Sequence, residues 1–271
     1  MRFLILGASS FYGSNFCKLL RERGEDVMEF SRPVWSIGDG IPNAEIIVNF
    51  SSRSLVEESW VDPQGWLMTN AVHTTKLLQQ VREIGCRLIH VSTPEVYGHT
   101  PGAVKEGHPF NPSTPYAVSR AAGDMMLLAY HKALGFPGII TRTANIYGVG
   151  QPDYRFIPHA FKTLRAGGEL LLDGGGATIR GFIHVKDACE ATYLVCKKGM
   201  VGETYHIAPR GVVSIDALAR LIQARVGSGT IASRRERLGK DLAYILDSTK
   251  IRSLGWEDRI TLSQGLDEYG N

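Results

Sequence analysis

The chain has 271 residues, 44% of them hydrophobic, which is enough for one large domain or two small ones around a sizeable core. Its 30 basic and 27 acidic side chains leave a net charge of only +3, which argues against a polybasic surface for nucleic acid or membrane. No apolar run reaches the length of a signal peptide or a membrane span. The cysteines lack metal or redox spacing, so we expect buried free thiols, no metal site and a cytoplasmic protein; they are Cys17, Cys86, Cys189 and Cys196.

The N-terminus predicts a dinucleotide-binding turn. Residues 2–7 form an apolar run that indicates a buried strand, and a helical pattern follows directly. Two glycines bracket the turn between them, and a serine stands where the usual spacing has a middle glycine. Glycines permit close approach of the backbone, and free amides at a helix start receive a pyrophosphate. We therefore expect NAD or NADP to bind at this turn, at residues Gly7, Ser10, Phe11, Tyr12 and Gly13.

A second predicted strand, over residues 26–30, bears on the choice between the two cofactors. An acidic residue at the end of this strand would hold the adenosine ribose of NAD, but the chain has Ser31 followed by Arg32. A hydroxyl followed by a guanidinium suits a 2′-phosphate, because arginine binds phosphate through a planar fork. The sequence therefore favours NADP over NAD.

Strands and helices then alternate along the chain. Strands are predicted over 46–52, from residue 88 and over 138–142, and helices over 63–83 and from Tyr116 to about Leu134. This alternation predicts a doubly wound parallel sheet, in which ligands bind at the carboxyl ends of the strands.

The stretch over residues 88–120 carries the candidate chemistry. Its first half is an apolar run that opens into hydroxyls and a carboxylate, including Thr93 and Glu95. Its second half places Tyr116 and Arg120 four residues apart, so that they share one face of a helix. A phenol has a pKa of ~10 in water and needs a neighbouring positive charge to act as a base near neutral pH. Arg120 and a bound nicotinamide would both supply such a charge, which suits hydride transfer.

These residues together resemble the extended short-chain dehydrogenase/reductase superfamily and, within it, the NAD-dependent epimerase/dehydratase family. The closest likeness is to nucleotide-sugar enzymes of the dTDP-glucose 4,6-dehydratase type. It covers nearly the whole chain in order, through residues 7–13, 92–98, 116–120, 142–148, 155–158, 173–187, 202–207 and 247–256. The resemblance implies a Rossmann-type doubly wound parallel sheet over residues 1–150. A smaller mixed α/β lobe that binds the substrate would cover residues 151–271 and interleave with the first domain.

The resemblance also implies a role for each matching residue. Tyr116 resembles the catalytic tyrosine that takes the proton from a sugar hydroxyl while hydride leaves the same carbon, and Thr93 resembles the hydroxyl that orients that oxygen. Glu95 resembles the base that removes the proton beside the new ketone. Three further residues resemble contacts to the nucleotide diphosphate, namely Asn145, Arg180 and Arg237. Three others resemble positions that line the cofactor, namely Ser31, Ser51 and Asn70.

The chain departs from the family pattern at two positions. Arg120 stands where the family has lysine; it keeps the charge but carries a bulkier fork. Pro94 stands between Thr93 and Glu95, where the 4,6-dehydratases usually carry an acid or a hydroxyl, so the loss of a C6 hydroxyl would need another acid or a water.

Three functions remain open at this point. The first is an epimerase or dehydratase that transiently oxidises C4 of a nucleotide-diphosphate sugar. The second is an NADPH-dependent 4-ketoreductase acting on the same class of substrate, and the third is a non-catalytic NAD(P)-binding regulator. Two long helices resemble the pair that forms a dimer interface in relatives, so we also expect a homodimer. The chain is shorter than its family suggests between residues 30 and 46, where we expect a strand–helix unit to be trimmed.

Overall fold

The computed structural model describes residues 1–30, 41–100 and 102–270. Ser31 and Arg32, on which the expectation of NADP depends, lie outside the described residues. The strands are β1 (Arg2–Leu6), β2 (Asp26–Phe30), β3 (Ile46–Asn49), β4 (Arg87–Ser92), β5 (Ala103–Val104), β6 (Gly138–Thr143), β7 (Asn145–Tyr147), β8 (Glu169–Asp173), β9 (Ile179–Arg180), β10 (Phe182–His184), β11 (Thr204–Ile207), β12 (Val213–Ser214), β13 (Thr230–Arg234) and β14 (Ile245–Leu246). The α-helices are α1 (Phe11–Glu22), α2 (Val56–Val61), α3 (Pro63–Leu67), α4 (His73–Ile84), α5 (Pro115–Leu134), α6 (Phe156–Arg165), α7 (Val185–Lys198), α8 (Ile215–Val226), α9 (Thr249–Ser253) and α10 (Leu262–Asp267).

A six-stranded, all-parallel sheet forms the centre of the fold, in the order β2–β1–β3–β4–β6–β11. Successive residues of β1 point to opposite faces, so Phe3 and Ile5 pack under α1 and α7, whereas Leu4 and Leu6 pack under α4 and α5. Because both faces are covered by helices, β3 and β6 are buried along their whole length. The predicted doubly wound parallel sheet is confirmed.

The sheet order places a crevice beside β1. The chain leaves β1 for β2 on one side and then crosses to β3 on the other, so the carboxyl ends of β1 and β3 lie at a switch point where such sheets bind ligands. Among the described residues β2 is the outer strand on this side, in line with the expected loss of a strand–helix unit.

The second half of the chain divides its elements between two places. Helices α6 and α8 pack with β8 and β10 around a separate apolar cluster that includes Phe161, Leu170 and Ile222. Helix α7 instead covers the large sheet, and β11 joins it beside β6. We therefore propose a division near residue 150, with the second part interleaved into the first.

Two predicted elements differ from the structure. The helix expected over 63–83 is interrupted by a π-helical turn, Met68–Val72, between α3 and α4; such turns insert an extra residue and re-aim the side chains they carry. The strand expected over 46–52 ends at Asn49, because the Asn49 side chain accepts a hydrogen bond from the backbone amide of Ser51 (3.0 Å) and turns the chain.

Three smaller observations concern only the described residues. No helix among them is long and apolar enough to cross a membrane. They contain no group of three His, Cys, Asp or Glu side chains that could hold a metal ion. All four cysteines are buried and free.

Candidate active site

The end of β4 presents Thr93 and Glu95 through a tight turn. Thr93 has extended backbone angles, and its hydroxyl accepts a hydrogen bond from the amide of Glu95 (3.3 Å). Pro94 opens the 3₁₀ turn Pro94–Tyr97, a position that suits proline because its fixed φ fits the first residue of a helical turn. Pro94 therefore has a structural role here, although it contributes no acid.

Helix α5 brings a phenol to this turn. Its N-terminus is fixed by Thr114, whose hydroxyl accepts from the amide of Ala117 (3.1 Å), and by Pro115 in the first position. Tyr116 follows at once and is buried beside Thr93. Burial raises the pKa of Tyr116, while the charge of Arg120 and the polar side chain of Thr93 act in the opposite direction.

Arg120 lies one helical turn further along, on the same face as Tyr116. It is 3% exposed and donates through Nη2 to the carbonyl of Val91 on β4, and its Nε–H is buried without a partner among the described residues. The guanidinium is thus held against the sheet beside the phenol. The expected pairing of a phenol and a cation at the tip of β4 is present, while contact of Arg120 with the nicotinamide ribose stays a prediction.

Glu95 is half-buried and accepts no side-chain hydrogen bond within the described part of the chain. Burial raises the pKa of Glu95 to about 7; the positive charge of Arg180 opposes this and the negative charge of Asp241 adds to it. A carboxyl group that is partly ionised near neutral pH is able to serve as either a base or an acid.

Arg180 and Asn145 reach the same cleft from the second half of the chain, and Tyr244 joins them. The Arg180 guanidinium stacks on the Tyr244 ring (3.8 Å to the centroid) and donates to the carbonyls of Asp241 (2.7 Å) and Leu242 (3.3 Å). The Tyr244 hydroxyl donates to Oδ1 of Asn145 (3.1 Å). Burial raises the pKa of Tyr244; the positive charge of Arg180 opposes this, and the charges of Glu95 and Tyr116 add to it.

Neither Tyr244 nor Asp241 was predicted from the sequence as a site residue. Asp241 is tied to the loop before α5 by the Ser113 hydroxyl, which donates to both of its carboxylate oxygens (2.8 Å each). The segment over 241–244 reads Asp-Leu-Ala-Tyr and resembles ordinary core. The contacts of Tyr244 with Asn145 and Arg180, both distant in sequence, assign the segment to the site.

Arg237 and Arg155 contribute further positive charge at the rim. Arg237 is exposed and pairs with Asp173 (Nε–Oδ2, 2.8 Å) and Glu57 (3.2 Å). Arg155, the residue before α6, donates to the Ser54 hydroxyl (3.0 Å). The charges of both arginines lower the pKa of Glu95, so their fields reach the centre of the cleft.

The glycine turn after β1 has the close packing that its sequence predicts. Gly7 has φ +75°, and a Cβ there would lie 2.9 Å from the Ser51 amide nitrogen. A Cβ on Gly13 would lie 2.3 Å from the Gly7 carbonyl oxygen. Ser10 takes the place of the middle glycine by locking the turn: its hydroxyl donates to the Gly7 carbonyl (2.7 Å) and accepts from the Gly13 amide (3.1 Å).

The start of α1 fits a pyrophosphate. The amides of Phe11 and Tyr12 are in the first helical turn, where no intrahelical acceptor exists, and the first turn carries no acidic side chain. The side chain of Tyr12 is directed into the core, where its hydroxyl bonds to the carbonyl of Ala188 (2.9 Å) and to Thr192 (2.6 Å). Any contact of Tyr12 with a cofactor therefore has to come from its backbone.

Asn70 and Ser51 lie behind this turn. Asn70, in the π-helical turn, binds the backbone of Arg53 through Oδ1 (2.9 Å) and Nδ2 (3.0 Å), and its Nδ2 also donates to the Ser119 hydroxyl (3.0 Å). These bonds use the hydrogen-bonding groups of the amide, so the structure gives Asn70 a positioning role between the loop after β3 and α5. A direct contact of Ser51 or Asn70 with the cofactor stays a prediction.

The fold and the site define a class of protein. A doubly wound parallel sheet with a glycine turn after β1, a free helix N-terminus and a buried tyrosine beside a threonine at a strand end is the arrangement of a dinucleotide-dependent enzyme. Residues 3–208 match the model of the NAD dependent epimerase/dehydratase family, and the chain belongs to that family.

Relatives support this assignment over the whole length. A dTDP-glucose 4,6-dehydratase from Streptomyces niveus is 36% identical over 238 residues, covering 86% of this chain and 70% of the relative. The crystal structure of DesIV, a dTDP-glucose 4,6-dehydratase from Streptomyces venezuelae with NAD bound, superposes with a TM-score of 0.93 at 29% identity, covering 99% and 97% of the two chains. UDP-glucuronic acid 4-epimerase from Bacillus cereus shares the fold, with a TM-score of 0.94 at 23% identity and the same coverage.

Proposed function

We propose that this chain is an NAD(P)-dependent nucleotide-sugar epimerase/dehydratase that transiently oxidises its substrate at sugar C4. The observation that carries the proposal is the placement of the buried Tyr116, at the start of α5, beside Thr93 and Glu95 at the end of β4. These three groups are what is required to take one proton from a sugar hydroxyl and a second proton from the neighbouring carbon.

Tyr116 and Thr93 would act on the C4 hydroxyl. A nicotinamide, when bound, supplies the acceptor for the hydride from C4. Thr93 and Tyr116 together would hold the hydroxyl oxygen, and Tyr116 would take its proton. Because burial raises the pKa of Tyr116, the charge of Arg120 beside it is needed to make proton transfer favourable near neutral pH.

Glu95 would act in the next step, on the carbon beside the new ketone. A ketone acidifies the neighbouring C5–H, and Glu95 would take that proton. Return of a proton to the opposite face of C5, with the hydride returned to C4, would give an epimer. Loss of the C6 hydroxyl as water, with the hydride returned to C6 and a proton to C5, would give a 4-keto-6-deoxy product. Pro94 has no proton to give a departing hydroxyl, so in this chain either Glu95 itself or a water would have to supply it.

The nucleotide diphosphate would lie against Arg180, Arg237 and Asn145. The N–H groups of Arg180 already bind backbone carbonyls, so this residue would contribute mainly charge, and the exposed fork of Arg237 would contribute hydrogen bonds after parting from Glu57. The chemistry of these side chains indicates the diphosphate but does not distinguish one base or sugar from another.

Cofactor choice depends on Ser31 and Arg32. The structures of DesIV and of the UDP-glucuronic acid 4-epimerase hold NAD. Ser31 and Arg32 favour a 2′-phosphate, and we therefore propose that this chain prefers NADP. Titration calorimetry with NAD and with NADP measures which cofactor binds more tightly. If NADP is preferred, Arg32→Ser weakens NADP binding and leaves NAD binding unchanged. Stronger binding of NAD by the unmodified protein would reverse the assignment.

A second candidate is an NADPH-dependent 4-ketoreductase, which Pro94 favours because ketone reduction needs no acid at that position. A mass-spectrometric screen of nucleotide sugars with either cofactor separates the two. The epimerase/dehydratase recycles its cofactor and releases an isomer or a product lighter by one water, whereas the reductase consumes one NADPH for each product formed.

The role of Tyr116 is tested by Tyr116→Phe, with Tyr205→Phe as the matched control. Tyr205 is another buried tyrosine, whose hydroxyl accepts from the Met200 amide (2.9 Å) away from the cleft. Loss of the base should lower turnover by about 100-fold or more, and the control should retain turnover. Equal turnover in the Tyr116 variant and the unmodified protein would remove Tyr116 from the reaction.

We also propose a homodimer through α5 and the α3–α4 pair, in a cytoplasmic protein. The exposed apolar residues on these helices and on the turn between them are Leu67, Met68, Val72, Val118, Met125 and Met126. A Met125→Glu substitution should yield a monomer by light scattering. Leu221→Glu, at an exposed leucine on α8, is the control; a monomeric mass for the unmodified protein at micromolar concentration would reject the proposal.

A further inference from the structure

A fully buried arginine lies behind the candidate active site. Arg142 is 1% exposed at the end of β6, and its Nε and Nη2 donate to one carboxylate oxygen of Asp124 (3.0 and 2.9 Å). Asp124 lies on α5 two helical turns after Tyr116, and with Arg120 the three residues form one stripe, because each is four residues from the next. The same carboxylate faces His90 of β4 (3.6 Å). This is the first arm of a buried network, and it ends at the helix that carries the phenol.

The second arm ends at the turn that carries Glu95. The Nη1 of Arg142 donates to the hydroxyl of Tyr97, and the guanidinium also stacks on the Tyr97 ring (4.8 Å to the centroid). Tyr97 is fully buried and closes the 3₁₀ turn Pro94–Tyr97. Its hydroxyl lies 2.7 Å from Nε2 of His206, whose Nδ1 faces the carbonyl of Asp247 (3.1 Å). A neutral His206 that donates to this carbonyl has to accept from Tyr97, which fixes the direction of both bonds.

The network keeps one protonation state over the range in which Glu95 titrates. Burial lowers the pKa of His206 to about 3 and that of His90 to about 4, so both rings are neutral. Burial raises the pKa of Tyr97 to about 12, so the phenol keeps its proton. The guanidinium of Arg142 is paired with the carboxylate of Asp124, and a buried, hydrogen-bonded network of this kind fixes the positions of the elements it joins.

We infer that Arg142 is a positioning residue that sets the two proton-transfer groups in register, holding Tyr116 through Asp124 on α5 and Glu95 through Tyr97 on the turn. The inference rests on the proposed function, since it assigns Arg142 to the alignment of that site. The hydrogen bonds of Arg142 go to Asp124, Tyr97 and Glu106 and not to the proposed proton-transfer groups themselves. Its effect has to pass through the two arms, and each arm is separable by substitution.

Three substitutions test the arms. Tyr97→Phe cuts the arm to Glu95, Asp124→Asn weakens the arm to Tyr116, and Arg142→Lys keeps the charge but loses the fork that serves both. Two controls remove the same groups elsewhere: Tyr205→Phe removes a buried hydroxyl, and Asp187→Asn alters a buried carboxylate that accepts from the amides of Arg259 (3.0 Å) and Ile260 (2.8 Å). The controls report the cost of a purely structural loss.

Two measurements separate the steps. Incorporation of solvent deuterium at sugar C5 reports Glu95, and the absorbance of the reduced nicotinamide on mixing with sugar reports the C4 step. Tyr97→Phe should slow incorporation by about 100-fold, because a small displacement of a reacting group has an effect of this size, while sparing the C4 step. Asp124→Asn should slow the C4 step, and Arg142→Lys should slow both. Equal slowing of both steps in the two single-arm variants, or the same losses in the controls, would overturn the inference.

A third measurement needs no turnover. Amide hydrogen exchange followed by mass spectrometry should accelerate over residues 93–99 in Tyr97→Phe, over residues 116–128 in Asp124→Asn, and over both in Arg142→Lys. A protein that converts no nucleotide sugar would refute the proposed function, yet this pattern would still support the two-armed link. Acceleration spread over the whole chain in every variant would contradict it.

Discussion

Replacement of Glu95 by glutamine should change activity and stability in opposite directions. Burial raises the pKa of Glu95 from 4.5 to about 7. The folded protein thus binds this proton more tightly than the unfolded chain does, and its free energy of unfolding falls as the pH rises from about 4.5 to about 7. One pKa unit corresponds to about 1.4 kcal/mol, so the ionised carboxylate costs up to about 3 kcal/mol above pH 7. Glutamine keeps the shape without the charge and removes that cost.

The expected result is a difference between two pH values. In urea titrations at about pH 8, the free energy of unfolding of Glu95→Gln should exceed that of the unmodified protein by up to about 3 kcal/mol. At about pH 4 the two values should match, because the protonated carboxyl group of Glu95 and the amide of glutamine are both neutral. Incorporation of solvent deuterium at C5 should fall by about 100-fold or more, because glutamine cannot take a proton. In the unmodified protein this incorporation should decline as the pH falls through about 7.

The control for Glu95 is Glu257→Gln, which changes the same chemistry at an exposed carboxylate paired with Arg210 (3.2 Å). It should leave both measurements close to those of the unmodified protein. If Glu95→Gln gains no stability at the higher pH relative to the lower one, burial does not disfavour the ionised carboxylate and the reasoning fails. If deuterium still enters at C5, another residue is the base.

Three further outcomes are expected from other parts of the site. Gly13→Ala brings a Cβ to 2.3 Å from the Gly7 carbonyl oxygen, and this backbone atom cannot rotate out of the way as a side chain could. Calorimetry should therefore show cofactor affinity lowered by at least about tenfold. Unchanged affinity would place the pyrophosphate elsewhere. Arg120→Met removes the charge that opposes the effect of burial on the pKa of Tyr116, so this pKa should rise further. It is measured by alkaline absorbance titration, from which the signal of the other tyrosines, recorded with Tyr116→Phe, is subtracted. A lower pKa would contradict this reasoning. Asn70→Ala removes three buried side-chain hydrogen bonds and should lower the free energy of unfolding by about 3 kcal/mol in urea, whereas a change within error would show that the loop after β3 is held by other contacts.

The sequence predicted those features that depend on nearby residues. The glycine turn is encoded within a few positions, and Ser10 could replace a glycine because its hydroxyl locks the turn that a middle glycine would only permit. The shared face of Tyr116 and Arg120 follows from helical spacing alone. The alternation of apolar runs with amphipathic segments was enough to predict a doubly wound parallel sheet, because each unit of such a sheet is continuous in sequence.

What the sequence did not reveal depends on long-range contacts. Tyr244 belongs to the site through Asn145, and Tyr97 belongs to a network through Arg142, yet each stands in an apolar context that is also typical of plain core. The π-helical turn has no local signature, because its extra residue is stabilised by the bonds of Asn70 to Arg53 and Ser119. Tyr12 likewise lies beside the cofactor turn in sequence but directs its ring towards α7.

The place of β11 in the large sheet has a consequence for biosynthesis. On the ribosome, β6 is complete well before Thr204–Ile207 emerges, although every residue of β6 is buried in the finished protein and β11 covers its open edge. Until then the nascent chain exposes an unpaired apolar edge of the kind that recruits strands from other molecules. Truncation near residue 200 should leave the same edge permanently open and give an aggregating product. The large parallel sheet is therefore completed only by residues that are translated late.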